Sequence, residues 1–396
     1  MKITNIRSWN VNIPWDMNPG ASEARDPGWR DFVFVQVDTD EGITGWGEVT
    51  TYPGPVANRA VAAYIDEIGK WLKGDDPAHI EMLWHKIFRG MTYVGTRGAT
   101  TAAISAIDIA LWDIRGKVLG QPIYQLMGGP VRESIALYCH PYAPTSPESI
   151  TASAKEIKAA GFSAFKMDPM IHNLKSGNVG YVDGDLPADV EAEALDILAA
   201  ARDAVGPDFE ILIDAHGLYN VPSAVRLANK MAAYNIYWFE EPVPVESWKA
   251  LKQVREQVST RICVGERLHT RWEFVPIFEN GLADFVMPDV TWTGGISELK
   301  KIATMAEAYF IPISPHDASG PINVMAGAHV MMTVPNFYKL ECHRYDLSGY
   351  NILIDEPLRI EAGHLYVPAD RPGLGVELNL ETLRQYETSP EDAGKE

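Results

Sequence analysis

Glu210-Ile211-Leu212-Ile213-Asp214-Ala215-His216 is the stretch that decides the fold: a short apolar run that ends on an acid and an imidazole. Such a run reads as a buried strand of a parallel sheet, with polar side chains emerging at its end. The same unit recurs on both sides. Ile135–Cys139, Ala164–Asp168, Trp238–Glu240, Ile262–Gly265, Phe285–Met287, Ile311–Ser314 and Tyr338–Glu341 are further short apolar strands, and amphipathic helical stretches lie between most of them. Eight strands alternating with helices predict a parallel sheet covered by helices and closed into a (β/α) barrel.

Barrel enzymes carry their chemistry at the C-terminal ends of the strands. Lys166, Asp168, Asp214, His216, Glu240, Glu266, Asp289, His316 and Glu341 stand at those ends. From Asp214 onward the intervals between Glu240, Glu266, Asp289, His316 and Glu341 run from 23 to 27 residues, about one strand-plus-helix unit each. These groups should therefore ring one mouth at similar height.

Outside the barrel the pattern differs. Met1–Pro14 and Phe32–Asp38 read as strands, and a turn at Asp40–Gly42 leads into a third, Ile43–Glu48. Trp15–Arg30, rich in Pro, Gly and charge, reads as a long loop, functional or disordered. Helical periodicity covers Val56–Leu72, His79–Phe88 and Thr100–Leu119, the last with a buried stripe of Ala102, Ala103, Ala106, Ala110 and Leu111. The tail from about residue 355 returns to short strands and should pack on the N-terminal segment. The predicted division is residues 1–125 as an α+β capping domain, 126–345 as the barrel, and 346–396 as a segment completing the cap.

Composition sets the class. The chain has 396 residues, too many for one ordinary core. Apolar residues make up 46% and charged residues 22%, as in soluble globular proteins. No leader and no apolar run of membrane-spanning length is apparent. Three scattered cysteines, Cys139, Cys263 and Cys342, suggest reduced thiols in a cytoplasmic protein. A net charge of −19 argues against nucleic acid as a partner, and it requires a metal, Lys or Arg wherever an anionic substrate binds.

Asp214, Glu240 and Glu266 on consecutive strands make a hard oxygen site of the kind magnesium takes. The bland alternative is that each acid is a strand-end cap or an ion-pair partner. Of the adjacent Glu240 and Glu241 only one can face the barrel axis, and register favours Glu240. Asp289 lies one unit before His316 and could fix its tautomer. His216 lies two residues after Asp214, and period-two alternation puts both on one face. Lys166 could bind a carboxylate or act as a second base, or it could be a structural partner of Asp168 or Glu210. Glu341 could hydrogen-bond a substrate oxygen.

At these residues the chain resembles the enolase superfamily, within it the mandelate racemase subgroup and its D-galactonate dehydratase-type members. Asp214-Ala215-His216, Trp238-Phe239-Glu240-Glu241-Pro242, Gly265-Glu266-Arg267, Met287-Pro288-Asp289 with Gly294-Gly295, and Ser314-Pro315-His316 carry the likeness. So do Thr44-Gly45-Trp46-Gly47-Glu48, the run Ala106 to Asp113, and Pro372-Gly373-Leu374-Gly375. The resemblance implies a modified TIM barrel of (β/α)₇β type under an α+β capping domain built from both chain ends. It implies Mg²⁺ on Asp214, Glu240 and Glu266, binding a sugar-acid carboxylate and stabilising an enediolate. His316, oriented by Asp289, would take the proton α to that carboxylate. His216 would protonate the departing 3-hydroxyl, and the product would become a 2-keto-3-deoxy acid. A homo-oligomer, dimer or octamer, is also implied.

The expected site thus comprises His316, His216, Asp289 and Lys166 for catalysis, and Glu341, Asp168, Arg267, Trp15 and Arg25 for substrate contact. Residues 170–189 read as an insertion that offers His172, Lys175, Tyr181 and Asp183. Tyr52 and Arg97 of the cap should face the distal end of the substrate. Two other classes remain open: a racemase, epimerase or cycloisomerase working through the same enediolate, and a barrel that only binds metabolites.

Overall fold

The computed structural model describes residues 1–15, 28–49, 55–141, 145–170, 183–345 and 347–388. Strands β1 (Ile3–Trp15), β2 (Gly28–Thr39) and β3 (Thr44–Val49) form an antiparallel sheet in the order β1-β2-β3. The turn at 40–42 joins β2 and β3 as expected. β1 and β2 pair up to Trp15 opposite Gly28, so both ends of the expected Trp15–Arg30 loop belong to strands, and the rest of it lies outside the described residues. Three helices, Pro55–Leu72, Ile80–Gly90 and Ala99–Leu119, complete this unit.

Helix Ala99–Leu119 lies unusually close to β3, and two glycines explain how. A Cβ on Gly47 would run into the carbonyl of Ala106, and one on Gly45 into that of Ala110. The stripe of Ala102, Ala103, Ala106, Ala110 and Leu111 is fully buried against the sheet. Small residues on both surfaces let the two backbones meet, and dispersion between them holds the contact. Gly120, in the left-handed region at φ 62°, ends the helix.

The barrel staves are β4 (Ile135–Cys139), β5 (Ala164–Met167), β6 (Glu210–Asp214), β7 (Trp238–Glu240), β8 (Ile262–Val264), β9 (Phe285–Val286) and β10 (Leu340–Cys342). Neighbours pair in parallel from β4 through β9, and β10 closes the ring on β4. The expected strand Ile311–Ser314 is present as parallel bridges, Val286 to Ile313 and Ile313 to Phe337, rather than as a continuous ladder. Pro312 and Pro315 supply no N–H there, which limits the pairing. The architecture is therefore an α/β barrel of the modified TIM type beside an N-terminal α+β unit.

Inside the ring, Tyr138, Ala164, Leu212, Trp238, Cys263, Phe285 and Met287 pack into one buried cluster. Trp238 and Glu240 are two residues apart on one strand and share its inner face. The indole Nε1 of Trp238 donates to Glu240 Oε2 at 3.0 Å, so the aromatic floor supports the acid above it.

The chain ends meet as expected. Leu374 N–H donates to Asp113 Oδ1, Trp46 Nε1 donates to Glu377 Oε2, and Thr388 N–H donates to the Asn10 carbonyl. The short strands β11 (Ile360–Glu361) and β12 (His364–Leu365) instead pair with each other, and β12 adds antiparallel to the start of β4. Across to the barrel, Asp108 accepts from Ser297 Oγ at 2.6 Å and Ser297 N–H at 3.0 Å, at the first turn of helix Gly295–Ala308. A Cβ on Gly295 would strike Asp108, and one on Gly373 would strike Asp113. The glycines of both motifs thus leave room for carboxylates of helix Ala99–Leu119.

Candidate active site

One carboxylate oxygen from each of Asp214, Glu240 and Glu266 lies within 4.8 Å of the other two. Register produces this: Asp214 pairs with Glu240 across β6 and β7, and Glu240 with Cys263 across β7 and β8. Three hard anionic donors at this spacing fit a divalent cation with room for further oxygen ligands. The ammonium of Lys166, itself buried, lies 2.6 Å from Glu240 Oε1, 3.2 Å from Asp214 Oδ2 and 2.9 Å from Glu341 Oε1. A cation already sits against two of the three acids, which shows that the pocket stabilises positive charge. Burial opposes the ammonium, but Glu240, Glu341 and Asp214 outweigh it and hold its pKa well above the ordinary value. Neither structural partner considered from sequence, Asp168 or Glu210, takes Lys166.

Asp214 is held well below the usual carboxylate range, because His216 and Lys166 overcome the effect of burial. Glu241 lies just past the end of β7, at φ 42°, and is engaged outside the three-acid group. It accepts from Gly265 N–H at 2.8 Å and lies 3.4 Å from Arg267. Arg267 also pairs with Glu266 at 2.7 Å, so its guanidinium braces the third acid.

Two imidazoles flank the acids, and each is backed by its own carboxylate. His316 Nδ1 lies 2.8 Å from Asp289 Oδ2, while its Nε2 is 3.3 Å from Glu266. His216 Nδ1 lies 2.8 Å from Asp168 Oδ2, while its Nε2 is 3.5 Å from Asp214. In both rings the outer nitrogen is tied to a carboxylate and Nε2 faces the acid cluster. Burial opposes protonation of each ring. At His216 the nearby Asp214 and Asp168 prevail, and at His316 Glu341 and Asp289 do, so each pKa is pushed up to about 9.

His216 reaches its place by a route that strand alternation does not describe. The strand ends at Asp214, and His216 adopts φ 50° in a turn. The carboxylate of Asp214 holds that turn by accepting the His216 N–H at 2.9 Å. Asp168, expected among the substrate contacts, spends Oδ2 on His216 and Oδ1 on the Met170 N–H.

Glu341 is fully buried and heavily engaged. It accepts from Tyr138 OH at 3.0 Å and lies 2.5 Å from His140 Nε2, besides Lys166. Lys166, His316 and His140 hold it below the usual carboxylate range despite burial. His140 and Tyr138 were not among the sequence candidates. Both lie on or next to β4, where a search of strand ends could have found the histidine.

Of the cap candidates, Arg97 stands mostly exposed and pairs with Glu273. Arg30 of β2 reaches the barrel and donates to the carbonyls of Ala318 and Ser319. Asp183 is exposed and accepts the Asp185 N–H. Arg25, Tyr52, His172, Lys175 and Tyr181 lie outside the described residues, as does the side chain of Trp15. All three cysteines are free and buried. Among the described residues no helix is long and apolar enough to cross a membrane.

A barrel with acids on three consecutive staves defines the class, and comparison with known families agrees. Residues 149–382 match the family described as enolase C-terminal domain-like, and residues 7–128 match the mandelate racemase / muconate lactonizing enzyme N-terminal domain. The chain belongs to the mandelate racemase / muconate lactonizing enzyme branch of the enolase superfamily. It is 35% identical to a D-galactonate dehydratase of Cronobacter sakazakii, over 97% of this chain and 94% of that one. It is 32% identical to a D-galactarolactone cycloisomerase of Agrobacterium fabrum, over 98% and 99% of the two chains. A solved structure of an enolase superfamily member from Salmonella Typhimurium superposes with a TM-score of 0.86 at 32% identity, covering 97% of this chain and 98% of that one.

Proposed function

We propose that the protein is a Mg²⁺-dependent dehydratase of a sugar acid, an aldonate or aldarate. The observation that carries this reading is the pair of His–Asp dyads, His316 with Asp289 and His216 with Asp168, turned toward one acid cluster. Removing a proton and expelling a hydroxyl needs a base at one carbon and an acid at its neighbour. A plain racemisation has no use for an acid beside the leaving group. The similarity to a named D-galactonate dehydratase supports the same reading.

In this scheme residues 126–345 form the catalytic barrel, and residues 1–125 with 346–396 form the cap. Asp214, Glu240 and Glu266 would hold the ion, which supplies positive charge against the substrate carboxylate and the enediolate charge that develops there. Lys166 and Arg267 add fixed cations beside those acids. His316 Nε2, when deprotonated, takes the C2 proton, and Asp289 holds the other proton on Nδ1. The C2–H electron pair passes first into the enediolate, and from there forms the C2–C3 double bond as the C3–O bond breaks. His216 Nε2 delivers a proton to the leaving oxygen, and water departs. The resulting enol tautomerises to a 2-keto-3-deoxy acid.

The test is a screen of a stereochemically complete set of aldonates and aldarates with Mg²⁺, with semicarbazide to detect the keto acid. At least one acid should give product. Deuterium exchange at C2 without any keto acid would favour the racemase, epimerase or cycloisomerase chemistry that the cycloisomerase relative represents. A rise in Tm with acid and Mg²⁺, with neither exchange nor product, would indicate a binding protein.

A further inference from the structure

The carboxylate that orients His316 is itself held, and the chain of contacts leads into the N-terminal unit. Asp289 Oδ1 accepts from Thr291 N–H at 2.7 Å, Thr291 Oγ1 at 2.7 Å and Asn323 Nδ2 at 3.2 Å. Its Oδ2 is thereby directed to His316. Asn323 lies in the first turn of helix Pro321–Met331, and its backbone N–H donates to Glu48 Oε2 at 2.9 Å. The Ile322 N–H donates to the same oxygen at 3.1 Å. Glu48 belongs to β3, so an acid of the cap closes the N-terminus of a barrel helix. Glu48, Asn323 and Asp289 are all fully buried.

Two of these groups fit a purely structural role poorly. The Oδ1 of Asn323 and the Oε1 of Glu48 have no hydrogen-bond partner among the described residues. An apolar side chain would fill the Asn323 site without the cost of burying an amide. What the amide adds is a donor to Asp289 and one to Thr291 Oγ1 at 3.3 Å, the hydroxyl that itself donates to Asp289.

We propose that Asn323 is a positioning residue for the base, holding Asp289 in the rotamer that faces His316, and that Glu48 couples this contact to the seating of the cap on the barrel. Removing the amide leaves the carboxylate to the Thr291 donors alone and loosens it about its χ2, so the ring it aligns is held less firmly in tautomer and direction. Docking of the cap and alignment of the base then form one cooperative event. The inference deepens the dehydratase reading, since it takes His316 as the base.

The test uses the full-length protein and begins without substrate. The proton on His316 Nδ1, identified by its disappearance in His316→Asn, should give a far-downfield proton resonance in the wild type. In Asn323→Ala that resonance should shift upfield or broaden. Where a sugar acid turns over, kcat for C2 exchange should fall roughly 10- to 100-fold with KM little changed, as for other groups that orient a ligand or base. Glu48→Ala should behave like Asn323→Ala. Glu48→Gln keeps an acceptor for the two helix N–H groups and should restore the resonance. Thr291→Val removes the 2.7 Å hydroxyl donor to the same oxygen and should give the same change, which covers the case of Asn323→Ala failing to fold. A folded Asn323→Ala with the wild-type resonance and kcat would overturn the proposal, as would a wild type without the resonance or a change confined to Tm. Absence of turnover with every sugar acid would sink the dehydratase reading alone, because the resonance is read without substrate.

Discussion

His216 Nδ1 lies 2.8 Å from Asp168 Oδ2, although 48 residues separate the two along the chain. That contact turns the other ring nitrogen toward Asp214 and gives the site a second imidazole with a defined direction. The same relation holds between His316 and Asp289. The two rings should divide the reaction between them, and mutation can separate their parts.

His316→Asn should abolish C2 proton exchange and dehydration together, because no other group is assigned to take the C2 proton. Solvent deuterium incorporation followed by NMR checks this. Loss by a factor of at least about 100 is the expected scale for removing a general base. Exchange that persists near the wild-type rate would shift the role to Lys166.

His216→Asn should impair dehydration while sparing C2 exchange, since the acid acts only on the leaving oxygen. Asp168→Asn should lower dehydration in the same sense but less, because it leaves the imidazole in place with a weakened tether. Semicarbazide detection and deuterium exchange on the same samples measure the split. Full dehydration activity in His216→Asn would remove it from the acid role.

Glu266→Gln should weaken binding of Mg²⁺ by about 10-fold or more, because a neutral oxygen replaces one of three anionic ligands. Titration calorimetry without substrate reads this directly. Unchanged affinity would mean that the three acids do not form the cation site.

Asp108 gives a prediction on stability and pH. Burial pushes its pKa up to about 7 from an ordinary 3.8, against the opposing hydrogen bonds from Ser297. A group whose pKa is raised on folding binds more protons in the native state between those two values. Stability should therefore fall as pH rises from about 4 through about 7 and level off above. Asp108→Asn should flatten the part of this dependence due to Asp108, seen as a smaller change in Tm between pH 5 and 7.5. A slope identical to the wild type would show that Asp108 is ionised across the range.

Gly47→Ala should destabilise the N-terminal unit by several kcal/mol, since the new methyl would overlap the Ala106 carbonyl and separate a sheet from its helix. Thermal unfolding measures it. The control is Gly42→Ala, where a Cβ meets nothing within 4 Å and only the positive φ of 75° adds strain.

Much of the barrel could be read from residues. Apolar runs bounded by polar ends located all eight staves, seven of which form continuous strands, because burial on both faces leaves a continuous signal. The eighth, around Ile313, is interrupted by Pro312 and Pro315 and forms bridges only. The acids of the mouth were legible because one strand-plus-helix unit has nearly constant length. His216 was assigned to the right neighbour for an incomplete reason: a turn held by Asp214, not strand alternation, brings it there.

Other parts of the site carry no local signal. His140 and Glu341 are 201 residues apart, and Glu48 and Asn323 are 275 apart; nothing in either segment announces the other. Lys166 was read as a carboxylate binder or second base, with pairing to Asp168 or Glu210 as the alternative, and closure of the ring carries it to Asp214, Glu240 and Glu341.

By itself the sequence determined the repeating unit, the family and the residues that ring the mouth, because spacing and hydrophobic pattern are properties of the chain alone. Tertiary structure alone decided which acid backs which imidazole and which cation neutralises the buried carboxylates. Those choices depend on distances of a few ångströms between distant segments, and in a buried site a single misplaced partner leaves a charge uncompensated.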